Sequence, residues 1–277
     1  MTEITVHPEA QRLRDELARE NERLMDLLVL IDDIKLQQNP QIEADYAVKV
    51  GYLENELLAR QIDARRAKRA LELARAAVNR GETLDAEAIA RIEAQLQQEL
   101  VAWRQKLDRA LERAQKLLER RTGSMPLSNR DARELKRLYR ELVKRLHPDL
   151  HPYLEDGARK LFAMAQHMYE SGDVEGLRAL TATVEVLMGS AAEGVCQAGD
   201  VLEELETELL AARGRVEVMQ GRIKELKAAF PYALREKLAD PAWVVARSEE
   251  LRRHIAETEH AADAYCAKLD ALRREAR

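Results

Sequence analysis

The chain has 277 residues, of which 4% are aromatic and 34% charged, and a formal net charge of −5. So few aromatic side chains exclude a large globular core, while the abundance of Ala, Leu, Glu and Arg fits long helices in which a narrow apolar seam replaces that core. The negative balance gives no case for a nucleic-acid partner across the whole molecule, because phosphate binding needs concentrated positive charge.

The first residues, Met1 to Pro8, carry neither a basic segment nor an apolar core, so no export signal is expected. No apolar run approaches the length needed to cross a bilayer. Cys196 and Cys266 stand apart, without metal-site clustering or the density of a secreted disulfide framework, and are expected to be reduced thiols. A cytoplasmic protein is expected.

From Pro8 to Gln38, residues Leu13, Leu17, Glu20, Leu24, Leu27, Ile31 and Ile34 alternate spacings of four and three, a heptad seam with a polar interruption at Glu20. Asn39-Pro40 should bend or end this helix. A second seam runs through Tyr46, Val50, Leu53, Leu57, Arg60, Ala64, Ala67, Leu71, Ala74 and Val78. Turn residues at Asn79 to Glu82 lead to a third, Ile89, Ile92, Leu96, Leu100, Trp103, Leu107, Ala110, Ala114 and Leu117. Its step from Leu96 to Leu100 repeats a spacing of four, the mark of a stutter. A short loop between seams of matching length predicts antiparallel neighbours, so residues 41–120 read as a helical hairpin about 55 Å long. Trp103 reads as a packing anchor.

Thr122 to Ser128 reads as a linker, with Ser128 a candidate N-cap. Leu135, Leu138, Tyr139, Leu142 and Leu146 then recur on one helical face, and Arg133, Lys136, Arg137, Arg140 and Lys144 form a cationic stripe roughly opposite. The helix should stop near Leu146, because Pro148 lacks an amide hydrogen and pushes the residue before it out of the helical region. After a loop holding Pro152 and Gly157, the residues Leu161, Phe162, Ala165, Met168 and Tyr169 share a face. Ser171-Gly172-Asp173 supplies a stop and a new N-cap before Val174, Leu177, Leu180, Val184 and Leu187. Gly189 to Gly199, rich in small residues, marks a second boundary.

Beyond it comes a seam of Leu202, Leu205, Leu209, Ala212, Val216, Met219, Ile223, Leu226 and Phe230, which Pro231 ends. Asp240-Pro241 starts the last helix, whose seam runs from Val244 through Leu251, Ile255 and Leu269 to Leu272. The fold expected is all-α: a central helical unit (122–190) between two long antiparallel coiled-coil hairpins (1–121 and 191–277). Exposed seams would also allow a homodimer.

The stretch from Tyr139 to His147-Pro148-Asp149 resembles the second helix and His-Pro-Asp loop of a J-domain, the DnaJ-like co-chaperone module, and Phe162, Ala165, Met168 and Tyr169 fit that family's third helix. The resemblance covers about residues 128–170. Leu150 and His151 stand where the family usually has lysine and asparagine, and no first-helix signature lies upstream, so the end of the preceding arm, Leu107 to Leu118, is expected to take that helix's place. The resemblance implies that the protein recruits a DnaK-type (heat-shock 70 family) chaperone and stimulates its ATPase. Asp149 would meet a partner arginine, Pro148 would fix the turn and His147 would order it, while Arg133, Lys136, Arg137, Arg140 and Lys144 would steer encounter with an acidic surface. The coiled-coil arms would choose a client, adaptor or oligomeric state.

Two plainer readings stand beside this one. His-Pro-Asp can be an ordinary helix stop in which Asp149 folds back on its own backbone, and the chain can be a structural scaffold with a J-like spacer. There is no phosphate-binding glycine loop, no paired cysteines at zinc spacing and no His-Glu-x-x-His. No enzyme activity, metal or cofactor is therefore expected.

Overall fold

A computed structural model describes residues 8–123, 127–151, 154–188 and 201–276. The expected boundary at Gly189–Gly199, Pro152, Cys196 and the middle of the Thr122–Ser128 linker lie outside the described residues. Among the described residues the regular structure is entirely helical. The elements are α1 (Pro8–Asp32), a π-helical segment (Asp33–Gln38), α2 (Asn39–Tyr46), a second π-helical segment (Ala47–Gly51) and α3 (Tyr52–Asn79). There follow α4 (Ala86–Glu99), α5 (Val101–Gly123), α6 (Asn129–Leu146), α7 (Asp156–Ser171) and α8 (Val174–Met188). The last are α9 (Val201–Ala228), a 3-10 turn (Tyr232–Leu234), α10 (Arg235–Ala239) and α11 (Pro241–Glu275). No described helix is long and apolar enough to cross a membrane.

The helices sort into two compact units, Met1–Gln41 with Ser124–Ala233, and Ile42–Gly123 with Leu234–Arg277. This division differs from the three consecutive segments expected. The seams have different partners: α9 lies along α1, and α11 lies along α3, each the most extensive pairing of its unit. Among the described residues, α9 and α11 therefore belong to different units instead of to one self-paired hairpin. The physical reason is that a heptad seam specifies an apolar stripe and leaves its partner open, and these seams find theirs far away in sequence.

In the first unit, Leu24, Leu28 and Ile31 of α1 join Leu135, Leu138, Leu142 and Leu146 of α6, Phe162 and Ala165 of α7, Leu177 and Val184 of α8, and Val216 and Ile223 of α9 in one core. Each buried Leu or Ile is worth roughly 1.5–3 kcal/mol, which is what holds α1, α7, α8 and α9 together with α6. Local signals cut this chain as the sequence predicts. Ser128 Oγ accepts from the Asp131 N–H (3.1 Å), and Gly172 ends α7 at φ 74° in the left-handed region. Asp173 Oδ1 accepts from the Gly176 N–H (2.8 Å) to begin α8.

Asn39-Pro40 does not end a helix. In the π-helical segment before it the Asn39 N–H reaches back five residues to the Ile34 carbonyl. The widened turn accommodates Pro40, whose missing donor would break an ordinary α-helical ladder.

In the second unit, α3 and α11 run parallel, since Glu54 meets Arg247 (3.1 Å), Arg60 meets Glu259 (2.8 Å) and Leu269 packs beside Ala70 and Leu71. Gly81, at φ 81°, turns the chain after α3, and α4 and α5 return along it: Arg69 pairs with Glu99 (2.8 Å), and the Arg65 guanidinium lies 3.7 Å over the Trp103 ring. The helix breaks at Leu100 (φ −96°, ψ 0°), where the heptad stutters. Asp240 caps α11, accepting from the Ala242 N–H (2.9 Å), with Pro241 at its start.

Candidate interaction site

The site is the turn between α6 and α7, and it is built by the end of α6. His147 is extended (φ −71°, ψ 128°), as a residue before proline must be, while its own N–H still closes the last helical turn on the Val143 carbonyl (3.0 Å). The His147 carbonyl accepts from the N–H groups of Leu150 (3.0 Å) and His151 (2.9 Å), and His147 Nδ1 accepts from the Asp149 N–H (3.0 Å). The imidazole ring meets Phe162 of α7 edge-on at 4.9 Å between centroids. Burial holds this imidazole below the ordinary histidine range, against the opposing pull of the carboxylates of Asp149 and Asp32. A neutral ring is the form that can accept the Asp149 N–H.

His147 thus closes the turn, not an aspartate folding back on its own backbone. Asp149 is half-buried, and no side chain of the described residues bonds its carboxylate. Its carbonyl accepts from Arg215 Nη1 of α9 (3.3 Å). The tip therefore offers a carboxylate on a residue whose own N–H and carbonyl are both bonded.

The five cations of α6 do not stand alike. Arg133 and Lys144 are exposed, and exposed Arg137 pairs within its own helix with Glu141 (2.7 Å). Lys136 reaches Asp33 (3.5 Å) of the first π-helical segment, and Arg140 reaches Glu22 (3.6 Å) and Asp26 of α1, so α1 and its π-helical extension engage two of the five.

The helix expected to stand in front of α6, the stretch Leu107 to Leu118 of α5, belongs to the other unit. α1 packs there instead, and the reason is polar as well as apolar. Tyr139 sits in the middle of the α6 apolar face and needs a buried acceptor, which Asp32 provides (2.5 Å). Tyr169 of α7 donates to Asp33 (2.8 Å), its carbonyl accepts from the Gln37 amide, and its ring stacks on Tyr139 with centroids 4.1 Å apart. Burial first, and the neighbouring Asp32 and Asp33 carboxylates with it, push both phenols far above their ordinary range, so they remain donors. Asp32, Asp33 and Arg215 are site residues that sequence reasoning missed. The two consecutive aspartates just after an apolar heptad run were the available signal.

Among the described residues there is no grouping of His, Cys, Asp and Glu that could hold a metal ion. Comparisons with family models, with characterised proteins and with solved structures found no match to this chain.

Proposed function

We propose that this protein is an atypical J-domain co-chaperone, which recruits a DnaK-type chaperone and stimulates its ATPase through His147, Pro148 and Asp149. The observation that carries this reading is the unbonded Asp149 carboxylate, held on a turn that His147 fixes at the end of a cationic helix. A carboxylate so placed can accept a charge-assisted bond from a partner's arginine without first breaking a bond of its own. Arg133, Arg137 and Lys144 supply the exposed positive field, while Lys136 shares its charge with Asp33 of the first π-helical segment and Arg140 with Glu22 of α1. The remaining helices would hold a client or adaptor and set the orientation of the tip.

The test is steady-state ATPase turnover of a DnaK-type chaperone with the wild-type chain and with Asp149→Asn. Stimulation by the wild type that falls at least tenfold in the variant is expected, and equal or absent stimulation by both rejects the proposal. A second reading, a helical scaffold, is favoured by the ion-paired α3–α11 contact, which needs no chaperone to be useful. A phenotype that survives Asp149→Asn but is lost with Leu209→Pro would favour it.

A further inference from the structure

Helix α9 reaches the tip from a distant part of the sequence. Arg215 is half-buried, and its Nη1 donates to the Asp149 carbonyl across 3.3 Å. Its Nε is fully buried and makes no bond to any described residue. A guanidinium gives up water reluctantly, and one held here with a single protein partner marks a constrained position. Two helical turns further along the same face, Arg222 is close enough to bear on the His147 imidazole electrostatically. The neighbouring α9 positions Ala212, Val216 and Met219 are buried, which fixes the side from which Arg215 approaches the turn.

The His147 interactions order the turn from the α6–α7 side only. His147 holds the Asp149 and Leu150 N–H groups, and the Asp149 carbonyl, on the opposite side of that peptide, is held among the described residues only from α9. We infer that Arg215 is a positioning residue: by holding the Asp149 carbonyl it sets where the Asp149 carboxylate points, so that the α1–α9 pair is a working part of the tip. This rests on the proposed chaperone contact for its purpose, though not for its geometry. A bond from a charged donor of this kind is worth on the order of tenfold or more in an opening equilibrium.

The experiment compares the full-length wild type, Arg215→Ala and Arg215→Lys by amide hydrogen exchange, with chaperone ATPase stimulation measured on the same preparations and on Asp149→Asn. In Arg215→Ala the amides of Asp149, Leu150 and His151 should exchange about tenfold faster, while those of the α6 interior are unchanged. Lysine, which can also reach a carbonyl, should restore most of the protection. Maximal stimulation should fall with the loosening and recover in Arg215→Lys, which simple loss of packing would not do. Unchanged exchange at the turn in Arg215→Ala, or no rescue by lysine of a loosened turn, overturns the inference. A turn that loosens and is rescued, in a protein whose ATPase effect does not depend on Asp149, supports the role of Arg215 and overturns the chaperone reading instead.

Discussion

Tyr139 of α6 and Asp32 of α1 lie 107 positions apart in sequence, yet both are buried and are joined by a 2.5 Å hydrogen bond. The bond fixes the face of α6 on which α1 lies, because the Tyr139 hydroxyl is the donor that meets the buried Asp32 carboxylate there. Tyr139→Phe removes the donor and leaves Asp32 with a single weak partner, Gln166 at 3.4 Å. A loss of about 1.5–3 kcal/mol is expected from denaturant melts. Combining it with Asp32→Asn should cost clearly less than the sum of the single losses, and strict additivity would show that the pair is not coupled.

The stability carried by His147 should depend on pH. Its folded value lies below the unfolded one, so the unfolded chain binds more protons and stability falls as acid is added through the window below about 6.5. NMR titration of the ring should give a midpoint below the ordinary histidine value. His147→Gln should flatten the dependence, and a ring that titrates at or above that value would contradict the buried neutral form.

The cations of α6 should divide by location. Arg133→Glu and Lys144→Glu are expected to slow association with a DnaK-type chaperone by about three- to tenfold at low salt and to have little effect at high salt. Their effect on folding should be negligible. Arg140→Glu places a like charge beside Glu22 and Asp26 and should also lower stability, by up to about 1 kcal/mol. Equal melting points for all three variants would argue against α1 on this face.

Two adjacent leucines report the orientation of α9. Leu209 is 5% exposed against α1, while Leu210 is 74% exposed. Leu209→Ala should cost about 2–5 kcal/mol by leaving a cavity, and Leu210→Ala less than about 0.5 kcal/mol. Thermal or denaturant unfolding of the two variants distinguishes this packing from any rotation of the helix.

What could be read in the sequence was local. Ser128, Gly172, Asp173 and Asp240 start and stop their helices through bonds that span only two to five residues, and residue type alone announces them. The stutter at Leu100 is legible for the same reason. Spacing alone places Leu24, Leu209 and Leu251 on apolar stripes, and all three are buried, but nothing in a stripe says which other stripe covers it. The π-helical segment that carries the chain past Pro40 is not legible in the sequence, because its residues Asp33 and Gln37 are bonded to Tyr169, 136 and 132 positions away. The turn at His147 was legible as a turn. The bonds of Asp32, Asp33 and Arg215 to its supporting elements were not, because they cross more than sixty residues.

The pairing of α1 with α9, in which Arg213 meets Glu16 across 197 residues, sets a schedule for the growing polypeptide. At ribosomal rates of roughly 5–20 residues per second, the apolar stripe of α1 emerges some 10–40 s before the stripe that covers it. Until then the nascent chain displays unshielded leucines, so its early life calls for protection from aggregation that the finished protein does not need.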